Sequence, residues 1–281
     1  MRRLIHITDL HFGRITPGIL DSLQLNIRES RPDLCIISGD LTMRSRPREW
    51  RQARAFLDRL TVPCMVIPGN HDLPYVNLYE RFTDPYGRFQ KYVNEELNPT
   101  FRDGELAIAG VNTARPWVPH YTWKEGSFSR EQVEHVESFF RSAGEGLFKI
   151  VFTHHPFLPP PEKPDTYLVR HARRALRVFE AVGVDLLLGG HLHLSYRGDI
   201  TTHFSMIKRS IICAQASTAT SSRLRNNIPN GFNVIVIDGD RVEIHSREWA
   251  EDTYTTVSVD TFLRTATGWI PRQAETPMEA K

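Results

Sequence analysis

The chain has 281 residues but only three cysteines, which are too few and too irregularly spaced for a disulfide framework. Cys35, Cys64 and Cys213 each lie within a short apolar run, which is typical of buried thiols in a reducing compartment. No apolar run approaches the ~20 residues that a membrane-spanning helix needs. The charged N-terminus is not followed by an apolar core with a small-residue cleavage site, so no signal peptide is predicted. We therefore expect a cytoplasmic protein.

The sequence also lacks a strong excess of either charge. Its 35 lysines and arginines nearly balance 33 aspartates and glutamates, and the formal net charge is +2. This balance does not indicate a stable nucleic-acid partner. Because 40% of the residues are hydrophobic and 24% charged, a disordered or low-complexity chain is excluded. The length suits one large α/β domain or two small ones, and it leaves the oligomeric state open, a homo-oligomer included.

Short β-branched apolar runs alternate with helical patterns near the start of the chain. The spacing predicts strands over 4–8, 34–38 and 64–67, separated by helices over 19–28 and 47–60. This βαβαβ order predicts a parallel sheet with helices on its faces.

The remaining elements are predicted by similar patterns. They comprise a helical segment within 75–97, a strand over 106–111 in a hairpin, a helix over 129–142 capped by Ser129, strands over 149–152 and 185–188 with an arginine-rich helix between them, and strands over 210–214, 232–237 and 242–246. The last three resemble a closing antiparallel set. Because the residues beyond Thr265 are polar and include two prolines, we expect one domain over 1–264 and a mobile or loosely docked tail over 265–281.

Polar side chains that can bind metals follow five of these strands. The five motifs are Asp9-Leu10-His11, Gly39-Asp40, Gly69-Asn70-His71-Asp72, Thr153-His154-His155-Pro156 and Gly189-Gly190-His191-Leu192-His193. Each motif alone has an ordinary explanation as a turn or a helix cap. Because the carboxyl ends of parallel strands gather at one edge of a sheet, we expect all five to meet there.

The residue types in these motifs favour a centre with two metal ions. Imidazole and carboxylate ligands together suit Zn, Mn or Fe better than Ca or Mg, and they outnumber the ligands of one tetrahedral ion. Two divalent ions bring four positive charges, of which Asp9, Asp40 and a bridging hydroxide remove three. The remaining charge of roughly +1, which the neutral Asn70 preserves, suits a phosphate ester.

The order of the motifs resembles the calcineurin-like metallophosphoesterase superfamily over about residues 4–193. Within it, the short length and the Thr-His-His-Pro motif resemble the class III cyclic nucleotide phosphodiesterases and the glycerophosphodiesterases. The resemblance implies an α/β fold, built as a four-layer α/β/β/α sandwich with two mixed sheets.

The resemblance also implies roles for the individual side chains, around two divalent or trivalent ions of Mn, Fe or Zn. One ion would be held by Asp9, His11, Asp40 and His193. The second would share Asp40 and would also be held by Asn70, His154 and His191. His71 would contact the phosphate or protonate the leaving oxygen, and Asp72 would orient it.

These features predict a metal-dependent phosphodiesterase that hydrolyses a small phosphodiester, foremost a 3′,5′-cyclic nucleotide. A hydroxide that bridges the ions would attack phosphorus in line. The alternative substrates are phospholipid head groups, nucleotide pyrophosphates, phosphomonoesters and nucleic acid. A non-catalytic scaffold of the same fold is the least favoured alternative, because every ligand position is filled.

The candidate substrate contacts are His71, Asn70, Arg14 and His155. Arg14 would reach a phosphate or form a surface salt bridge, and His155 would either support His154 or touch the substrate. The arginines between 44 and 54, like those between 170 and 177, form either an electropositive rim or a solvated helix face. The aromatic segment 115–123 either stacks on a nucleobase or fills the edge of the core.

Overall fold

Helices and strands alternate along the chain in the computed structural model, which describes residues 1–117, 124–225 and 227–272. The helices are α1 (Ile19–Ser30), α2 (Pro47–Asp58), α3 (Leu78–Thr83), α4 (Gly87–Tyr92), α5 (Arg130–Ala143) and α6 (Ala172–Ala181). The strands are β1 (Arg2–Ile7), β2 (Leu34–Ile37), β3 (Cys64–Val66), β4 (Thr100–Arg102), β5 (Leu106–Val111), β6 (Phe148–Thr153), β7 (Leu186–Gly189), β8 (Tyr196–Asp199), β9 (Ile212–Gln215), β10 (Gly231–Asp238), β11 (Arg241–Ala250), β12 (Thr253–Thr265) and β13 (Gly268–Pro271).

The strands form two mixed sheets. The first has the order β13-β12-β11-β10-β1-β2-β3, and the second has the order β4-β5-β6-β7-β9-β8. In the first sheet β1, β2 and β3 are parallel, which confirms the predicted βαβαβ unit, and β10 joins β1 in the antiparallel direction. In the second sheet β5, β6, β7 and β9 are parallel between antiparallel edge strands.

The two sheets pack face to face between two layers of helices. Along β1, Leu4 packs into the apolar layer between the sheets, whereas Ile5 packs against α1 and α2. On the outer face of the second sheet, β6 and β7 pack against α5 and α6. Since neighbouring residues of a strand point to opposite faces, the continuously apolar strands follow from burial on both sides. The four-layer α/β/β/α sandwich is thereby confirmed.

The structure differs from the sequence-based expectations in the last third of the chain. The predicted strand over 210–214 does not join an antiparallel set with β10 and β11. It forms β9 in the other sheet, where it is parallel to β7. The first sheet also continues past residue 264, because β13 pairs with β12 and its Trp269 is buried between the sheets.

Two further expectations concern single elements. Helix α5 begins at the predicted cap, where the Ser129 hydroxyl accepts a hydrogen bond from the backbone of Gln132, whose own side chain accepts one from the Ser129 backbone. Among the described residues, no helix is both long enough and apolar enough to span a bilayer. The part of the predicted tail over 273–281 lies outside the described residues.

Candidate metal centre

The five sequence motifs meet at one end of the sandwich, where the parallel strands of both sheets terminate. The sheets are joined there by hydrogen bonds: the backbone N–H of His191 donates to Asp9 Oδ2 at 2.8 Å. The ring Nδ1 of His154, which follows β6, lies 2.9 Å from the carbonyl oxygen of Ser38 at the end of β2. The site therefore spans the edge shared by two sheets, rather than the edge of one.

Several residues of the site adopt the left-handed backbone conformation, which is uncommon for residues other than glycine. The φ angles lie between 52° and 73° at Asp9, His11, Asp40, His191 and His193. Such strained residues cost about 1–3 kcal/mol each and cluster at functional sites. The fold thus holds these five side chains in place against a local conformational preference.

Glycine at two positions permits the close approach of the ligand loops. A Cβ atom at Gly69 would lie 2.1 Å from Asp40 Oδ1, and one at Gly190 would lie 2.0 Å from the hydroxyl oxygen of Thr8. Any side chain at either position would push the loops apart.

The first group of donor atoms is formed by Asp9, His11 and His193, all buried. The two Nε2 atoms of the histidines lie 3.0 Å apart. Asp9 Oδ1 lies 3.1 Å from Nε2 of His193 and 3.5 Å from Nε2 of His11, yet it accepts no hydrogen bond from a described residue. Three donor atoms therefore converge on one point.

The second group of donor atoms surrounds Nε2 of His154. Asn70 Oδ1 lies 3.2 Å from this nitrogen, and Nδ1 of His191 lies 3.3 Å from it. If Nδ1 of His154 donates to the Ser38 carbonyl, its Nε2 is left with a lone pair toward the group, as metal-binding histidines require.

Asp40 lies between the two groups. Its Oδ2 atom is 3.3 Å from Nε2 of His154 in the second group and 3.9 Å from Nε2 of His11 in the first. Its Oδ1 atom accepts a hydrogen bond from the backbone of His71 at 2.8 Å. One oxygen atom is therefore within reach of both clusters, as a bridging carboxylate would be.

The charges of the centre also fit cations. Burial acts to raise the pKa of Asp9, but the nearby His193 and His11 outweigh it and hold the pKa well below its usual value. Burial acts to lower the pKa of His154, but the Asp40 carboxylate outweighs it and raises the pKa to about 9. Burial and the charge of His154 lower the pKa of His191 to about 3. Ionised acids beside the neutral ring of His191, with a proton on His154 that a cation would displace, form a donor set that two metal ions fit.

His71 lies beside these groups, and its ring is held differently from the prediction. Nδ1 of His71 donates to the carbonyl oxygen of Met43 at 2.8 Å, and the ring meets that of His11 edge to face. Burial lowers the pKa of His71. The ring lines the cavity above the donor groups.

The predicted role of Asp72 in orienting His71 is wrong. Residues Asn70–Asp72 form one turn of 3₁₀ helix, and the Asp72 carboxylate turns back toward the loop after β2. It accepts hydrogen bonds from the backbone of Gly69, Leu41 and Thr42 at 2.8 to 3.1 Å, and from the Thr42 hydroxyl. Asp72 thereby ties the Asp40 loop to the Asn70 loop.

Two other predicted substrate contacts do not lie in the cavity above the donor groups. Arg14 is exposed and is not part of the lining of that cavity. His155 is buried, and its Nδ1 lies 2.7 Å from the Thr113 hydroxyl. His155 packs beside the rings of His154 and His191, so the structure favours the supporting role for it.

The cavity has a volume of about 270 Å³. Besides four candidate ligands, His71 and Met43, its lining consists of Arg44, Tyr75, Lys124, Arg223 and Arg225. Of the arginines between 44 and 54, only Arg44 reaches this cavity; Arg54 on α2 pairs with Asp58 instead. The contributions of Tyr75, Lys124, Arg223 and Arg225 were not predicted, because they come from irregular loops without a motif. Residues 118–123 of the predicted aromatic segment lie outside the described residues.

Parts of this chain are similar in sequence to known proteins. Residues 2–195 match the family model described as calcineurin-like phosphoesterase. The chain is 30% identical over 174 residues to the glycerophosphodiester phosphodiesterase GpdQ of Enterobacter lignolyticus, an alignment that covers 56% of this chain and 57% of that protein. It is 25% identical over 204 residues to a probable cyclic nucleotide phosphodiesterase of Synechococcus, covering 69% of this chain and 74% of the relative.

Solved structures share the fold at lower sequence identity. A purple acid phosphatase from yellow lupin (Lupinus luteus) seeds superposes with a TM-score of 0.71 at 14% identity, covering 92% of this chain and 53% of that one. A dimetal phosphatase from Danio rerio superposes with a TM-score of 0.64 at 14% identity, covering 92% and 99%. With the family model matched over the segment that carries all five motifs, the chain belongs to the calcineurin-like phosphoesterase family.

Proposed function

We propose that this protein is a dimetal-dependent phosphodiesterase that hydrolyses small phosphodiesters, with 3′,5′-cyclic nucleotides as the first substrates to test. The observation that carries the proposal is the position of Asp40 Oδ2 between two groups of buried donor atoms. The names of the relatives, a glycerophosphodiester phosphodiesterase and a probable cyclic nucleotide phosphodiesterase, support a phosphodiester as the substrate class.

Each of the two ions would have four ligands, with Asp40 common to both. Asp9, His11, Asp40 and His193 would hold one ion, and Asp40, Asn70, His154 and His191 would hold the other. When bound, the pair supplies Lewis acidity toward a phosphoryl oxygen and activates water for attack at phosphorus. The chain contributes the fixed positions, because hydrogen bonds to Asp9, Asp40 and His154 leave these side chains little freedom.

His71 would act on the leaving oxygen of the substrate. Its Nδ1 proton is committed to the Met43 carbonyl, which only accepts hydrogen bonds, so Nε2 is the nitrogen available to the cavity. Nε2 carries a proton only when the ring is cationic. The ring can therefore protonate a departing alkoxide in its cationic form, whereas the neutral ring can only accept a hydrogen bond.

The test is hydrolysis by protein freed of metal and then loaded with Mn²⁺. Bis-p-nitrophenyl phosphate should be cleaved faster than the monoester p-nitrophenyl phosphate, and removal of the metal should abolish both activities. A panel of 3′,5′-cyclic AMP and glycerophosphodiesters then distinguishes the two substrate groups. Absence of metal-stimulated turnover on every substrate would leave the non-catalytic scaffold as the remaining function, and a preference for the monoester would replace the diesterase proposal.

A further inference from the structure

Four cationic side chains from three separate loops face the cavity above the candidate metal centre. Arg44 follows β2, Lys124 precedes α5, and Arg223 and Arg225 follow β9. The guanidinium of Arg225 lies 3.5 Å from the carbonyl oxygen of Leu192, between the two ligand histidines of that motif. The cations are distant in sequence, and the fold brings them to one cavity.

Among the described residues, acidic side chains do not neutralise these cations. Among the described residues that line the cavity, Asp40 is the only acid, and its carboxylate is directed at the donor groups. Within the described part of the chain, no carboxylate pairs with Arg44, Lys124 or Arg223. Some arginines on helix surfaces are paired there, as in Arg54 with Asp58 and Arg141 with Glu137.

The charge of a simple phosphodiester does not account for four additional cations. A diester carries one negative charge at neutral pH, and that charge would be met by the metal pair. The guanidinium and ammonium groups at the wall of the same cavity would then have no anionic partner. Such groups form some of the strongest hydrogen bonds in proteins when they contact phosphate.

We propose that these residues form a second anion subsite, so that the preferred substrate is a phosphodiester that carries a further phosphate group. Arg223 and Arg225 are its centre, and Arg44 and Lys124 complete it. The inference rests on the proposed function and sharpens it: a 3′,5′-cyclic nucleotide with one charge would use the metal pair alone, whereas a nucleotide diester with a second phosphate would use both sites.

A matched pair of substrates tests the subsite. Thymidine 5′-(p-nitrophenyl phosphate) and its 3′-phosphorylated derivative share the scissile bond and the leaving group, and they differ by one phosphate, about two charges near neutral pH. We expect kcat/KM to be about tenfold or more higher for the phosphorylated substrate, through a lower KM. In the double variant Arg223→Gln/Arg225→Gln this preference should disappear, because kcat/KM for the phosphorylated substrate falls about tenfold or more relative to that for the singly charged substrate.

The control variant is Arg48→Gln/Arg51→Gln on α2, which removes the same charge from exposed positions outside this cavity. It should keep the preference, because a localised subsite does not depend on net charge. A loss of preference equal to that of Arg223→Gln/Arg225→Gln would show long-range steering instead, and would overturn the proposal. Equal kcat/KM for both substrates in the unmodified protein would also overturn it.

Binding provides a readout that does not depend on turnover. Calorimetry should show thymidine 3′,5′-bisphosphate binding to the metal-loaded protein about tenfold or more tightly than thymidine 5′-monophosphate, with the difference lost in Arg223→Gln/Arg225→Gln. If this difference is present but no substrate is hydrolysed, the subsite stands and the proposed diesterase function fails. If both nucleotides bind equally well, the subsite is refuted whether or not the protein is a diesterase.

Discussion

Two buried histidines, one within β1 and one just after it, differ in what their ring nitrogens face. His6 lies within the strand, with Nε2 2.9 Å from the Ser38 hydroxyl and Nδ1 3.4 Å from the side-chain amide of Asn233. His11 lies just past the strand, and its Nε2 faces that of His193 and the carboxylate of Asp9. Both rings are almost completely buried.

The comparison shows that burial alone does not identify a metal ligand. At His6, each nitrogen has a polar protein partner, and burial together with Arg197 lowers the pKa to about 3, so the ring stays neutral. At the candidate centre, several lone pairs and two carboxylates face one another across distances of 3.0 to 3.9 Å. Such an arrangement is stable only with positive charge between the groups, supplied by metal ions or by protons.

The largest expected effect on activity comes from removing the oxygen shared by both groups. The substitution Asp40→Asn keeps the acceptor for the His71 backbone but replaces the bridging oxygen by an amide nitrogen. We expect turnover of bis-p-nitrophenyl phosphate to fall by more than about 10³-fold, because both ions lose a charged ligand. Asp185→Asn is the matched control, since Asp185 is equally buried but pairs with Arg209 at the opposite ends of the strands. It should lose stability and retain metal-dependent turnover.

The next effect distinguishes the role of His71 from that of the ligands. His71→Ala should retain both metal ions and lose about 10²-fold in kcat on alkyl diesters, with a smaller loss on aryl diesters, whose leaving groups need no proton. Because burial lowers the pKa of His71, the cationic form is lost as pH rises through a value below its usual range. For the unmodified protein, kcat on alkyl diesters should fall over that interval. Equal losses on both substrate types would contradict the general-acid role.

A smaller effect should appear in the pH dependence of metal binding. In the metal-free protein the pKa of His154 is about 9, so its proton contributes stability that is complete below about pH 6.5 and is lost as pH rises through 9. A metal ion must displace this proton. Affinity for Mn²⁺ measured by calorimetry should therefore rise about tenfold per pH unit between 6.5 and 9, with proton release. Affinity that does not change with pH would show that His154 is not a ligand.

The smallest effect on activity is expected at His6. His6→Leu leaves the Ser38 hydroxyl and the Asn233 amide with fewer partners, so the free energy of unfolding should fall by about 1–3 kcal/mol. Metal content should be unchanged and turnover should stay within about twofold. Loss of a metal ion in this variant would remove the distinction between His6 and the histidines of the candidate centre.

The sequence was sufficient to predict the features that depend on local pattern. The βαβαβ unit follows from apolar runs and helical spacing, and the convergence of the five motifs follows from the geometry of parallel strands. The pairing of β9 with β7 could not be predicted in this way, because sheet membership depends on contacts distant in sequence. Strand β12 was missed because most of its residues are exposed and polar, so it lacks an apolar pattern.

The site likewise has features that the sequence predicts and features that it does not. The candidate ligands are histidines, aspartates and an asparagine, residue types that can be read directly from the sequence. The partner of His71 is a backbone carbonyl oxygen, which every residue possesses, so the sequence does not reveal it. The role of Asp72 was implied by the family resemblance, and that of Arg14 was predicted from its nearness to the first motif. Asp72 instead holds two loops together, and Arg14 is exposed and does not line the cavity. The cations Lys124, Arg223 and Arg225 lie in loops whose paths no local pattern determines.

The central claim is that two groups of donor atoms share Asp40 and hold two metal ions. The most direct measurement is the metal stoichiometry of the purified chain, determined by elemental analysis after loading with Mn²⁺ and exhaustive dialysis and by calorimetric titration of metal-free protein. We predict two ions per chain in the unmodified protein, and fewer than two in Asp40→Asn. Retention of no more than one ion by the unmodified chain, or of two ions by Asp40→Asn with full affinity, would contradict the shared-carboxylate centre.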